Sequence, residues 1–218
     1  MSVTVHGYLG SPSADLREHA ARADVVVGGR RHLDALAVPE DRRIVLGSLS
    51  SAMVALRALP ADTDVLVVAS GDPGFYGVVR RLRGEGFRPR VVPTVSSVAM
   101  AFAAVGLPWD DAQVASAHGH PLEPTLYACR TWPKVAVLTA PDQGIRELAA
   151  AVPDRVFVLA ERLGEVDERV RILTREQALA LPDVTEPNVV LVLADHPDAD
   201  SMTGESPALV GMTSKEPR

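Results

Sequence analysis

Residues able to do chemistry gather where this chain punctuates itself with glycine. Val65 to Gly77 reads V-L-V-V-A-S-G-D-P-G-F-Y-G, an unbroken apolar run followed by Gly71-Asp72-Pro73-Gly74. The run lacks alternation, as does a central parallel strand covered on both faces. In open α/β sheets, ligands bind beyond the carboxyl ends of such strands. Asp72 there is an acceptor, and Gly71 and Gly74 let backbone amides come close to a ligand. A tight Gly-Pro turn with no ligand fits the same residues. A second group, Gly28-Gly29-Arg30-Arg31-His32, also follows an apolar run directly. His118-Gly119-His120 invites a metal reading, but no third ligand is identifiable, so no metal site is expected. The lone Cys129 reads as a small buried thiol.

The elements that must position these groups follow a βαβ rhythm. Strand-like runs recur at Val3–Val5, Asp24–Val27, Arg43–Leu46, Val65–Ala69 and Arg90–Val92, separated mostly by segments of helical spacing. Ala14–Ala23 is amphipathic with Ser13 as its N-cap, and Ser50–Leu59 repeats the device. Phe75–Arg83 is expected to be a third helix, with Arg80, Arg81 and Arg83 on a solvated face or at its C-terminal dipole. Val95–Val105 is apolar nearly all round and reads as a buried helix. Gly106, Pro108 and Asp110-Asp111 break the pattern, placing a domain boundary at 111/112. Beyond it, strands are expected at Gln113–Ser116, Lys134–Thr139, Arg155–Ala160, Arg169–Leu173 and Asn188–Ala194, with helices near Gly144–Ala151 and Arg175–Leu181. A hairpin-like excursion around E-R-L-G-E-V-D-E makes part of this second sheet antiparallel. The residues from 196 to 218 are polar and Pro-rich, the composition of a disordered tail.

The 218 residues are 47% apolar but only 4% aromatic, which suits parallel strands under Ala-rich helices. A net charge of −6 argues against nonspecific nucleic-acid binding, which needs a basic surface. No run approaches the roughly 18 apolar residues of a membrane span, and the N-terminus lacks a signal-peptide pattern, so a cytoplasmic protein is expected. Neither G-x-x-x-x-G-K-[ST] nor G-x-G-x-x-G is present.

Seven segments taken in order resemble a known family. They are A-D-V-V-V-G-G-R-R-H-L (Ala23 to Leu33), S-G-D-P-G-F-Y-G (Ser70 to Gly77), V-P-T-V-S-S-V (Val92 to Val98), G-L-P-W-D-D-A (Gly106 to Ala112), A-H-G-H (Ala117 to His120), V-A-V-L-T (Val135 to Thr139) and E-R-L-G-E-V-D-E-R-V (Glu161 to Val170). The chain resembles the tetrapyrrole (precorrin) methylases of the cobalamin pathway, in particular the branch that methylates carbon 5 of the ring. The Gly-Asp-Pro loop marks the superfamily, and G-G-R-R-H-L, the His-Gly pair and E-R-L-G narrow it to that branch. The resemblance implies a two-domain α/β fold, a mostly parallel αβα domain followed by a mixed-sheet α/β domain. It also implies a homodimer holding S-adenosylmethionine in the cleft between domains. The family's cofactor contacts carry over onto Leu9, Gly71, Asp72, Phe75, Ser96, Ser97, Leu138 and Thr139.

The implied substrate, a precorrin or cobalt-precorrin, is a polyanion entering an acidic protein. Arg30, Arg31 and His32 are therefore expected to bind its carboxylates, with Arg162 a further candidate. A solvated helix start is the other reading of the first three, although cations there oppose the helix dipole. Methyl transfer from a sulfonium to an electron-rich carbon needs alignment more than acid or base, so the lack of a catalytic triad or paired carboxylates is consistent with it. His118 is the residue named as a base, an ordinary polar-loop histidine being its other reading. The fused relatives carry a second domain for carbon 15 methylation and decarboxylation, so a separate protein is expected to supply that step. Two departures stand out: the opening loop is only G-Y-L-G-S-P (Gly7 to Pro12), with Tyr8 or Leu9 where glycine and proline are expected, and Thr94 replaces a usual glycine. They motivate a rival reading, a family member without turnover that serves as a corrinoid-binding or scaffold subunit.

Overall fold

A computed structural model of the protein describes residues 1–47, 49–119 and 121–195, so the expected tail at 196–218 lies outside the described residues. The chain divides into two units, 1–97 and 98–218.

The first unit holds strands β1 (Ser2–Tyr8), β2 (Val25–Gly28), β3 (Arg43–Val45), β4 (Asp64–Ser70) and β5 (Arg90–Val92). Its helices are α1 (Ala14–Arg22), α2 (Arg30–Ala35), α3 (Leu49–Arg57) and α4 (Val78–Gly84). The strands form one sheet in the order β3-β2-β4-β1-β5, every pairing parallel. Alternation along β1 sorts its side chains between two cores. Val3 and Val5 pack with Ala52, Met53 and Leu56 of α3 and Val78 and Leu82 of α4. Tyr8, three residues beyond Val5 and so of opposite parity, joins Leu16 and Ala20 of α1 and Leu33 of α2 on the opposite face. Ser13 caps α1, its Oγ accepting from the Leu16 N–H at 3.2 Å.

Helix α4 starts three residues later than the spacing predicts. Tyr76 and Gly77 adopt φ of +61° and +90°, a region from which a right-handed helix cannot propagate. Phe75 thus belongs to the loop, its ring edge-on to Tyr76 at 5.6 Å. The solvated reading of the α4 arginines fits: Arg81 pairs with Glu85 at 2.8 Å, and Arg80 lies over the Tyr76 ring.

Helix α5 (Ser97–Ala104) is narrower in its burial than its composition suggests. Only Val98, Ala101 and Phe102 are buried, a single stripe of i, i+3, i+4 spacing. The second unit continues with β6 (Gln113–Ser116), α6 (Glu123–Thr131), β7 (Lys134–Leu138), α7 (Ile145–Ala151), β8 (Val156–Glu161), β9 (Arg169–Leu173), α8 (Arg175–Leu179) and β10 (Asn188–Leu193). Sheet order is β6-β7-β10-β8-β9, with β6 parallel to β7 and the other pairs antiparallel. The expected hairpin is β8–β9. Helix α6 had no sequence expectation, although Pro124 in its first turn and Arg130 in its last are the usual boundary marks. It seats Leu126 and Cys129 against Ile145, Leu148, Val135 and Phe157. Burial pushes the Cys129 thiol up to about 12, so it is inert, as a packing cysteine should be. No helix among the described residues is long and apolar enough to cross a membrane.

Candidate functional site

The connection leaving β1 passes across β4 to reach β2, and the one leaving β4 passes across β1 to reach β5. Their carboxyl ends therefore flank the point where connections part to opposite sides, the crevice in which open α/β sheets bind ligands. Tyr8 and Ser70 are register partners at that point. The chain bridges once more as the Gly71 N–H donates to the Tyr8 carbonyl at 2.7 Å.

Beyond Ser70 the Gly-Asp-Pro loop turns tightly. Gly71 takes φ +64°, and a Cβ there would stand 3.8 Å from the backbone N and Oγ of Ser97. Three of the expected contacts, Gly71, Ser97 and the neighbouring Ser96, thus meet at one edge. Asp72 shapes the loop itself: its Oδ1 accepts the Gly74 N–H at 2.7 Å, and its carbonyl accepts the Phe75 N–H at 3.1 Å. This is an Asx turn, so Asp72 has a structural duty whatever else it binds, and its carboxylate retains acceptor capacity beyond that one bond.

Gly7 is pinned beneath this loop. A Cβ at Gly7 would come within 2.6 Å of Thr94 Cγ2, 2.8 Å of the Gly71 carbonyl oxygen and 3.0 Å of Pro73 Cδ. Alongside lies a cavity of about 190 Å³ whose lining includes His6, Tyr8, Leu9, Ser11, Asp15 and Thr94. It is smaller than the roughly 300–1,000 Å³ of complete ligand pockets and suits a single substituent. The Tyr8 side chain is 9% exposed, its ring tilted against His32 with centroids 4.6 Å apart. Tyr8 is thus a packing residue at the end of β1.

Of the three expected substrate contacts on α2, the structure separates one from the others. Arg30 and Arg31 are exposed, whereas His32 is 3% exposed, too deep to meet a substrate directly. Its Nε2 lies 3.3 Å from Ser70 Oγ, and its Nδ1 is buried with no hydrogen-bond partner. Burial, reinforced by the Arg31 charge, lowers its pKa to about 4, so the ring is neutral at pH 7. Arg31 donates from Nη2 to the same Ser70 Oγ at 3.1 Å. This Tyr8–His32–Ser70–Arg31 group was not legible as a unit in the sequence, because it depends on the register that sets Tyr8 beside Ser70.

The remaining expected residues lie in the second unit. Leu138 ends β7, its carbonyl accepting the Ala117 N–H at 2.9 Å. Thr139 Oγ1 lies 2.7 Å from Asn188 Oδ1, so its hydroxyl is already engaged in fastening β7 to β10. Arg162 is engaged as well, pairing with Glu165 and with Asp167 at 2.6 Å and bracing its own loop. In the same motif, Glu161 has a role that sequence reasoning missed. At 2% exposure, it accepts from Arg171 Nη2 at 2.8 Å and from the Thr185 N–H at 2.6 Å. His118 is exposed in the turn after β6, and His120 lies outside the described residues. Among the described residues, no three His, Cys, Asp or Glu side chains gather as a metal site.

The family model of the tetrapyrrole (corrin/porphyrin) methylases matches residues 14–179. The chain belongs to this family. It is 32% identical over 173 residues to the cobalt-precorrin-7 C(5)-methyltransferase of Salmonella typhimurium, covering 76% of this chain and 84% of that protein. Identity to the decarboxylating precorrin-6Y C(5,15)-methyltransferase of a Sinorhizobium species is 33% over 161 residues, 69% of this chain but 38% of that longer protein. Among solved structures, the precorrin-6Y methylase of Archaeoglobus fulgidus superposes with a TM-score of 0.67 at 21% identity, covering 89% of this chain and 98% of that one. The uroporphyrin-III C-methyltransferase of Thermus thermophilus, solved with S-adenosylhomocysteine, gives 0.64 at 23% identity over 88% and 97%. Both likenesses support the two-sheet α/β fold.

Proposed function

We propose that the protein is an S-adenosylmethionine-dependent methyltransferase acting on carbon 5 of a precorrin or cobalt-precorrin in cobalamin biosynthesis. The observation that carries this reading is the 32% identity to a cobalt-precorrin-7 C(5)-methyltransferase along three quarters of the chain. The strand-end geometry fits the cofactor. Gly71 keeps a bare backbone edge opposite Ser97, and the spare lone pairs of Asp72 can accept from ribose hydroxyls or an ammonium group. When bound, the cofactor supplies an electrophilic methyl group on a sulfonium. The chain's own residues bind and orient: the Gly71–Asp72 loop, Phe75, Ser96 and Ser97 at the first unit's strand ends, and Leu138 at a strand end of the second. Arg30 and Arg31 are assigned to ring carboxylates, each bidentate contact contributing about 1.5–3 kcal/mol. His118 remains the residue assigned to proton removal.

The inward packing of Tyr8 on His32 weakens the motive for the rival, non-catalytic reading, since that ring is part of the strand-end core. The test is incubation with methyl-¹³C-labelled S-adenosylmethionine and either cobalt-containing or metal-free precorrin, followed by ¹³C NMR of the product. Label at carbon 5 is expected. Cofactor binding without transfer to either substrate would favour the scaffold reading.

A further inference from the structure

The cavity beside Gly7 lacks hydrogen-bond donors more than acceptors. Of the described residues that line it, Asp15 alone carries a fixed charge, and no lysine or arginine is among them. A ring carboxylate of a polyanionic substrate would enter against a like charge. His6 shares the strand parity of Tyr8 and so stands on the α1 side of the sheet. The residue is 6% exposed, and its Nδ1 lies 2.8 Å from the Gly7 carbonyl oxygen. A carbonyl only accepts, so Nδ1 carries the proton and Nε2 keeps the lone pair. Among the described residues, that Nε2 has no hydrogen-bond partner. The Asp15 carboxylate, in the first turn of α1, has neither hydrogen bond nor ion pair among them.

Two acceptors without donors, one of them anionic, suit a cationic N–H group. The cofactor of the proposed function offers two cations. Its sulfonium has no hydrogen to give to Nε2, whereas the ammonium of its amino-acid end has three. Position agrees with chemistry. Gly7, one of the lining residues, lies directly beneath Gly71 and Pro73, where no Cβ would fit. A ligand laid along the bare backbone edge of Gly71 therefore reaches the cavity with one end. At about 190 Å³ the cavity takes one end of such a ligand and not the whole. We infer that His6 and Asp15 form the ammonium subsite of the cofactor: His6 Nε2 accepts one N–H, and Asp15 supplies the countercharge. The inference rests on the proposed function, in which S-adenosylmethionine is the methyl donor, and it leaves Asp72 to the ribose hydroxyls.

The test titrates the full chain by calorimetry with S-adenosylhomocysteine and with its deaminated analogue, in which a hydrogen replaces the amino group. Wild type is expected to prefer S-adenosylhomocysteine by roughly 10-fold, the effect of a hydrogen bond to a charged group. Asp15→Asn, which keeps the size of the side chain, is expected to weaken S-adenosylhomocysteine roughly 3- to 20-fold, the lower values reflecting solvent screening, and not to weaken the deaminated analogue. His6→Phe, which keeps a ring but removes the lone pair, is expected to show the same selectivity. A residue that only supports the fold would move both ligands together, so the difference between them is the signature of direct contact. Equal affinity of wild type for the two ligands, an unchanged S-adenosylhomocysteine affinity in Asp15→Asn, or an equal loss of both ligands in that variant overturns the inference alone. A wild type that binds neither ligand overturns it together with the proposed function.

Discussion

Replacing His32 with glutamine should flatten the acid limb of the protein's stability. The imidazole is almost wholly buried against Tyr8 and Ser70, and its pKa falls from 6.5 to about 4, through burial first and the Arg31 charge second. Between those two values the unfolded chain carries a proton that the folded chain does not. Stability then rises with pH by 1.36 kcal/mol per unit, the slope for one such proton. As pH falls, the loss therefore begins near 6.5 and is complete by about 4. Over that interval it amounts to about 3 kcal/mol, a large fraction of a typical domain's stability. The same contribution is fully present at neutral pH and above. Glutamine keeps an N–H donor for Ser70 but cannot titrate, so its variant starts with a pH-independent deficit and then loses less on acidification. His19, whose pKa is also lowered by burial, acts in both proteins and cancels in the comparison.

The assay must watch the right unit. Both tryptophans, Trp109 and Trp132, belong to the second unit, so their fluorescence would not report on His32. Native-state hydrogen exchange of the β1 and β4 amides, such as those of Val5 and Val67, reads the opening free energy of the first unit directly. Measured from pH 7 to 4.5, wild type should lose protection more steeply than His32→Gln. Parallel profiles, or an NMR titration placing the His32 pKa near 6.5, would refute the reasoning.

Three further outcomes follow from packing. Gly7→Ala should destabilise the first unit by roughly 1–3 kcal/mol in thermal melts. Adding Thr94→Gly should recover only part of this, because the Gly71 carbonyl oxygen still stands 2.8 Å from the new Cβ; full recovery would contradict the account. Glu161→Ala leaves Arg171 buried without its carboxylate and should cost about 3–5 kcal/mol, whereas the double variant Glu161→Leu with Arg171→Met should be far milder. Chemical denaturation decides, and equal losses would show that the ion pair is not the cause. Asp72→Asn keeps an oxygen for the Gly74 N–H, so it should weaken S-adenosylhomocysteine binding while holding the melting temperature. Asp72→Ala should in addition lose about 0.5–1.5 kcal/mol of stability with the turn bond.

What the sequence showed depended on whether the signal was local. The unalternating Val65–Ala69 run marked a strand covered on both faces, and β4 is indeed third of five. Arg169–Leu173 was legible to the residue because its Val and Ile alternate with polar residues, and Gln113–Ser116 because Asp110-Asp111 before it and His118-Gly119 after it bound it closely. Phe75 misled, since its apolar neighbours favour a helix and nothing in their types announces a tyrosine at positive φ. Helix α6 escaped notice because its buried face is two apolar residues and a threonine, Leu126, Cys129 and Thr125, too sparse for a periodicity. At the site, the Gly-Asp-Pro loop and the serine pair could be named from their order in the chain. The burial of His32 could not, because Arg31 and His32 are adjacent and equally polar, and only the way α2 docks on the sheet decides which one turns inward.

The position of β10 sets a timetable for the second unit. Residues 188–193 emerge after every other described strand, yet they fill the middle of the sheet, antiparallel to β7 on one side and β8 on the other. While a ribosome is still translating them, β7 and β8 each present a row of unpaired amides and carbonyls, surfaces prone to wrong pairing between chains. The parallel sheet of the first unit draws only on residues up to Val92, and it has all its strands about a hundred codons sooner. Nascent chains halted before Asn188 would thus carry one complete sheet and one open one, its β7 and β8 edges exposed to wrong pairing until the last strand arrives to close it.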